Sequence, residues 1–246
     1  MKKTPVIVAA LLMCAGIAFA DEEDRSVHAI GFSVPVMNQT WYDSKNDADK
    51  YLKFNGAGFD FMYHHLNVTP GNFSKFVNCE IGYAALWPDE LEIKANGSTT
   101  TSSFSGDEAK AFGGLIQKYS FGIGGAPVNS DRFILALHGT FGVNCWYGTR
   151  NYNYTKSGVK YDEEDWGFSL WTTIGFNVDA AVRLSDHVGL FAGTNFYTNL
   201  IGFSILGTET KYTDGSGTQK DSNSDGYAVY PGSFNVDFRF GVAFIF

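Results

Sequence analysis

Residues 234–246, FNVDFRFGVAFIF, decide how the whole chain is read. Phe234, Val236, Phe238, Phe240, Val242, Phe244 and Phe246 are apolar, and Asn235, Asp237, Arg239, Gly241, Ala243 and Ile245 alternate with them. A repeat of two marks an extended strand, whose successive side chains point to opposite faces. One face here is bulky and greasy, the other mostly polar or small. Soluble domains usually finish on polar residues that fray in water. This strand carries its pattern to a final Phe. Something apolar must cover the greasy face, and both edges of the strand need partners.

The opposite end supplies a route out of the cytoplasm. Residues 1–20, MKKTPVIVAALLMCAGIAFA, have two lysines, a short apolar run and an Ala-Phe-Ala cleavage site before Asp21. This predicts a cleaved secretory signal peptide, with a single domain over 21–246. The apolar run is short for a membrane span. Met13 before Cys14 argues against a lipid anchor. Of the 18 Lys and Arg, two belong to this leader, so 16 face 26 Asp and Glu, a net charge of −10. So acidic a chain is not a nucleic-acid binder, since phosphate contacts need clustered cations. After the leader only Cys79 and Cys145 remain, too few for a disulfide scaffold. No later stretch approaches the ~20 apolar residues of a membrane helix.

Alternation recurs throughout. In RFILALHGTFGVNCWY, Phe133, Leu135, Leu137, Phe141, Val143 and Cys145 oppose Ala136, His138, Thr140, Gly142 and Asn144. In FSLWTTIGFNVDAAVR, Phe168, Leu170, Ile174, Phe176, Val178 and Val182 oppose Ser169, Thr173, Asn177, Asp179 and Arg183. Val77, Cys79, Ile81 and Tyr83 oppose Asn78 and Glu80; Phe59, Phe61 and Tyr63 oppose Asp60 and His64. Weaker patterns run through SVHAIGFSVPV, AFGGLIQKYSFGIGG and residues 188–206, where the facing stays open. That makes eight strands. Their connections alternate in length: long at 37–51, 87–108, 148–166 and 207–232, and short at NVTPGNF, APVNSD and LSDH. The short ones hold turn residues, the long ones Gly, Ser, Thr, Asn and Asp. Residues 91–104 and 208–230 could add two further strands.

A soluble sandwich or lipocalin-like barrel shows alternation too. There the polar face meets water and is rich in Lys and Glu. Here it is mostly Gly, Ser, Thr and Asn with isolated charges, while the other face is aromatic. That suits an all-β, antiparallel up-and-down transmembrane barrel with a lipid-facing exterior, long extracellular loops and short periplasmic turns. The signal peptide and the terminal VDFRFGVAFIF resemble the two ends of a bacterial outer-membrane barrel. By size the chain is similar to the small eight-stranded group of OmpX, the OmpA membrane domain and OmpW. The resemblance implies that Phe238, Phe240, Val242, Phe244 and Phe246 form the signal read by the barrel-assembly machinery. It also implies residence in the outer membrane.

Parity places Asp60, Glu80, Lys118, His138 and Arg239 inside, mid-strand, with Asp179, Arg183 and Asp237 nearer strand ends. Buried charges must be paired, so these eight read as a self-satisfied interior network. An eight-stranded barrel is just wide enough to be filled by such side chains. Trp41, Trp87, Trp146, Trp166 and Trp171 lie near the long-loop ends and read as an aromatic outer rim. Parity turns Trp146 and Trp171 inward, where they plug the mouth. His138 could reach Ser120 or Glu80, but His28, His64, His65 and His187 show no metal-ligand spacing. The acidic loops lack the ligand order of an EF-hand.

The expectation is therefore a monomeric, surface-exposed, non-enzymatic barrel without cofactor or metal, its lumen filled and its loops available to an extracellular ligand. A narrow OmpW-like channel for small solutes and a lipid-modifying membrane enzyme are the alternatives.

Overall fold

The computed structural model describes residues 24–45, 48–214 and 217–246; the expected leader lies outside them. Ten strands follow in order: β1 Arg25–Lys45, β2 Ala48–Val68, β3 Phe73–Ala95, β4 Ser98–Ser103, β5 Phe112–Asn129, β6 Phe133–Lys156, β7 Val159–Arg183, β8 Val188–Asp214, β9 Gly217–Val229 and β10 Phe234–Ile245. One 3-10 turn, Gly106–Ala109, precedes β5. Every pairing is antiparallel, between chain neighbours around the ring β1-β2-β3-β5-β6-β7-β8. Strand β10 closes it, pairing with β1 from Val36↔Val236 to Val27↔Ile245 and with β8 from Phe234↔Thr198 to Phe244↔Val188.

The other two strands are continuations. β4 pairs only with the far part of β3. β9 pairs with β8 and touches β1 at Trp41↔Val229 and Tyr42↔Ala228. Each precedes, after a break, the ring strand that fills the same position. The pairing reconciles eight expected strands with ten observed.

The short turns match the sequence expectation, at residues 69–72, 130–132 and 184–187. The long connections do not: the 37–51, 148–166 and 207–232 segments are mostly strand, not loop. β6 and β7 stay in register out to Lys156↔Val159. In the 148–166 segment, and in 87–108, which pairs in the same way, the physical reason is a dipeptide at the tip. Asn96 and Gly97 have φ of 51° and 74°, and Ser157 and Gly158 have 51° and 79°. Two successive positive φ values make the tight hairpin turn whose twist matches the flanking strands. Cross-strand tyrosines reinforce it: Tyr154 and Tyr161 are direct partners, as are Tyr161 and Tyr212. Their ring centroids are 4.9 and 5.7 Å apart. Tyr154 and Tyr161 stack at about the ~4.8 Å strand spacing, and Tyr212 packs against Tyr161 at a tilt.

Facing follows parity except where the ladder slips. β8 buries Phe191, Tyr197 and Asn199, then Ser204, because a register shift opposite Trp171/Thr173 moves the inward set from odd to even numbers. That slip explains the ambiguous pattern of residues 188–206. Beside it the wall has a seam. Residues 199–202 of β8 have no ladder partner in β9 or β10, and residues 230–233 lie outside any strand, with Gly232 at φ 98°. One backbone bond, from the Gly232 N–H to the Asn199 carbonyl (3.4 Å), and side-chain amides close the gap. Asn235 Nδ2 donates to Asn199 Oδ1 (3.3 Å), Asn199 Nδ2 to Gln39 Oε1 (3.1 Å), and the Asn38 backbone N–H to Asn235 Oδ1 (2.9 Å).

The outer face is an apolar belt. Phe59, Phe61, Tyr83, Phe121, Ile123, Ile174, Leu190 and Ile201 are all exposed. The interior is packed in three layers. At the short-turn end Val27, Met62, Leu66, Phe76, Ile134, Phe191 and Ile245 form one apolar cluster. At the hairpin end Met37, Trp41, Phe54, Leu86, Phe112, Ile116, Trp146 and Trp171 form another. Buried polar side chains fill the space between.

Candidate functional site: the barrel interior and its outer mouth

Seven of the eight sequence-predicted interior residues converge in the polar layer, in two clusters. Lys118 on β5 holds the first. Its Nζ lies 2.9 Å from Asp60 Oδ2 on β2 and 2.8 Å from Asp237 Oδ1 on β10, and it also contacts Glu80 on β3. Asn78 Nδ2 donates to Glu80 Oε1 (2.7 Å), and the Tyr197 hydroxyl donates to Asp237 (3.3 Å). One ammonium therefore answers three buried carboxylates. Gly82, beside Asp60, makes room: a Cβ there would sit 2.5 Å from Asp60 Oδ1.

Asp179 on β7 holds the second cluster. His64 Nε2 lies 3.2 Å from Asp179 Oδ2, His138 Nδ1 3.6 Å from the same atom, and an Arg239 terminal nitrogen 3.8 Å from Asp179 Oδ1. Arg239 also bonds Asn177 Oδ1 and approaches His64 Nδ1 at 3.3 Å. Arginine can only donate, so His64 accepts on Nδ1 and carries its proton on Nε2, facing the Asp179 carboxylate. The imidazole is packed between Phe76 and Phe191, with ring centroids 5.0 and 4.7 Å away. Sequence reasoning left His64 out of this cluster. Its parity was legible, but not that β2 and β7 meet across the lumen.

Arg183 is the correction. It ends β7, and its backbone N–H bonds the Arg132 carbonyl (2.8 Å) at the short-turn rim. No ion pair among the described residues joins Arg183 to either cluster. The expected near-balance of charge thus falls to four carboxylates against Lys118 and Arg239.

His138 reaches neither Ser120 nor Glu80, the partners expected for it. Ser120 pairs opposite Gly142, four residues along β6. His138 instead meets Ser74, Nε2 to Oγ 2.9 Å. Ser74 and His138 both pair opposite Gly124, and only a missing side chain there lets them touch across β5. Ser74, His138 and Asp179 thus stand in the order nucleophile, base, acid. Ser74 has 0% exposure, however, and is enclosed by the lower apolar cluster.

The tryptophans divide. Trp87 is exposed on the outer face, and Trp166 faces outward across Gly207, its direct partner. Trp146, Trp171 and also Trp41, which was expected on the rim, are inside at 1%, 2% and 0% exposure. Trp41 follows the odd-numbered inward parity of β1, so the three indoles plug the barrel rather than gird it. Phe238, Phe240, Val242, Phe244 and Phe246 all point outward into the apolar belt.

Above the plug lies a cup of about 390 Å³ whose wall includes Phe112, Arg150, Asp165, Thr208, Asp225 and Tyr227. Arg150 donates to Asp165 Oδ2 through Nε (2.8 Å) and a terminal nitrogen (2.7 Å). Its other terminal nitrogen donates to the Glu108 and Lys110 carbonyls (2.5 and 3.3 Å), and its guanidinium covers the Phe112 ring at 4.4 Å. Higher still, burial and then the bonded Glu163 carboxylate push the Tyr152 phenol upward. Among the described residues no group of three or more His, Cys, Asp or Glu is arranged to hold a metal ion.

Neither a protein-family model nor a curated protein sequence matches the chain. Among solved structures it is similar to a major outer membrane protein from Thermus thermophilus (14% identity, 88% of this chain and 99% of that one, TM-score 0.45). It is also similar to the outer membrane protease OmpT from Escherichia coli (9%, 93% and 98%, TM-score 0.36). A third similarity is to the β domain of the Bordetella autotransporter BrkA (11%, 89% and 99%, TM-score 0.27).

Proposed function

We propose that the chain is a small, monomeric outer-membrane β-barrel whose lumen is sealed and whose outer hairpins are its working surface. Eight ring positions cross the bilayer, the short turns lie in the periplasm and the long hairpins outside. The outer face supports the membrane setting. Twelve residues at ~3.3 Å each make β10 about 40 Å long, and a ~45° tilt brings its apolar face near the ~25–30 Å of a hydrocarbon core. Ring closure removes the free edges that lipid cannot satisfy. The greasy terminal face, on this reading, is covered by lipid, and the same residues serve as the assembly signal.

The observation that carries the sealed-lumen reading is the three-layer filling. An apolar cluster closes each end, and a paired polar layer lies between. The complete burial of Ser74 supports a non-enzymatic role, since a nucleophile must come within hydrogen-bond reach of its substrate. The test is conductance of the mature protein in a planar lipid bilayer, with Arg239→Ala beside it. A silent wild type and a leaky or destabilised variant are expected. Discrete conductance steps from the wild type would sink the reading in favour of a solute channel.

A further inference from the structure

We infer that the cup above the tryptophan plug is a binding site for a neutral, polyhydroxylated ring, a sugar unit presented from outside the cell. This rests on the sealed-barrel reading, which makes the cup a dead end open only outward. Its volume of about 390 Å³ falls within the range of small-molecule sites. At about 30 Å³ per water-sized group, it accommodates roughly a dozen such groups.

Its chemistry selects the ligand class. Tyr227 and Leu206, half-buried, offer apolar surface to the C–H face of a ring, directly over Trp41, whose indole lies 6.4 Å from the Tyr227 ring. Thr208, Asn223 and Asp225 supply hydroxyl, amide and carboxylate groups on the adjoining wall. Arg150, the one cation in that wall, is consumed. Its donors go to Asp165 and two backbone carbonyls, and its face lies on Phe112. Asp165 is likewise engaged by Arg150 and by Thr208, whose hydroxyl donates to Oδ1 at 2.6 Å. With the guanidinium spent, that wall offers an anion no cationic partner. A hydroxylated neutral molecule can both donate to Asp225 and accept from Asn223. The Arg150–Asp165 pair fixes the shape of the cup: through the Glu108 and Lys110 carbonyls it draws the 3-10 turn against the mouth, and Phe104 packs on the plug below.

Titration followed by tryptophan fluorescence reads this directly, because Trp41 and Trp146 lie under the cup. The protein is refolded in a zwitterionic detergent with no sugar headgroup and titrated with glucose, galactose and N-acetylglucosamine. Glucose 6-phosphate and spermidine serve as charged probes, and a short oligosaccharide separates a free sugar from the end of a glycan chain. At least one neutral sugar should give a saturable change with Kd of about 1 mM or tighter. Tyr227→Ala and Asp225→Asn should each weaken it at least tenfold. Thr208→Val provides a further variant if Tyr227→Ala does not fold. The inference is overturned if no neutral sugar gives a saturable change, if the variants bind unchanged, or if only a charged probe binds. Conductance of the same preparation is scored separately, so a failed sugar site and a failed sealed lumen are told apart.

Discussion

The two charged clusters of the lumen solve one problem in opposite ways. Around Lys118 a single cation serves three carboxylates drawn from β2, β3 and β10. Around Asp179 a single carboxylate is shared by an arginine and two imidazoles, with Asn177 and Ser74 completing the bonding. The first is a hub on which opposite walls of the barrel depend. The second is a mesh with redundant neutral donors. Removing one partner of a buried pair typically costs about 3–5 kcal/mol, because the survivor is stranded without water. The cost should therefore scale with how many survivors each deletion leaves.

Lys118→Met is the most damaging change on this comparison. It strands three carboxylates, and its loss of stability in denaturant unfolding should exceed the ~3–5 kcal/mol of a single broken pair. Restoring charge balance with Asp60→Asn and Glu80→Gln in the same chain should recover part of it. A Lys118→Met barrel as stable as wild type would show that the hub is no hub. Asp179→Asn comes next, at about 3 kcal/mol: Arg239 loses its carboxylate but keeps Asn177 and His64. If it proved worse than Lys118→Met, the ranking of hub over mesh would be reversed. The amide seam offers a neutral control. Asn235→Ala removes bonds between uncharged groups and should cost only about 1–3 kcal/mol.

The smallest effect belongs to the exposed end of β3. There Glu92 bonds Lys94 and Lys53, which hold its carboxyl below the ordinary 4.5. A depressed folded value contributes stability above the unfolded pKa and loses it as pH falls through the folded one, so the contribution fades below about pH 4.5. Resonance titration of Glu92 should show the low value in dilute buffer and its drift upward in high salt. A titration unmoved by salt would deny that exposed ion pairs set it.

The contrast between interior and mouth also marks what was legible in the chain. Alternation alone placed Asp60, Glu80, Lys118, His138, Asp179, Asp237 and Arg239 inside, since strand period is local and a barrel has only two faces. What alternation cannot carry is which strands meet across the lumen. That is why the parity of His64 does not disclose its partner Asp179, while the Ser74–His138 contact, made across β5 at Gly124, needs the register of three strands. Arg183 lies at a strand end, as its place in the sequence implies, and it joins neither cluster. The 37–51 and 148–166 hairpins read as loop because polar composition resembles loop, whereas residues 91–104, with Asn96-Gly97 as their hairpin turn, and 208–230 already read as possible strands. Trp41 was assigned by residue type, where its odd number in β1 already pointed inward.

The seam at residues 199–202 and 230–233 acts as a mechanical joint. Along most of the ring the ladder ties each strand to its neighbours. Here the wall hangs on one backbone bond and a few side-chain amides, and Gly232 holds a φ of 98°, which glycine alone adopts at little cost. A tug on the β8–β9 hairpin from outside is therefore absorbed at the joint before it reaches the closing strand, β10. Backbone amides flanking the joint should exchange with deuterium well before those of β10. Equal protection on both sides would mean that the hairpin and the ring move as one body.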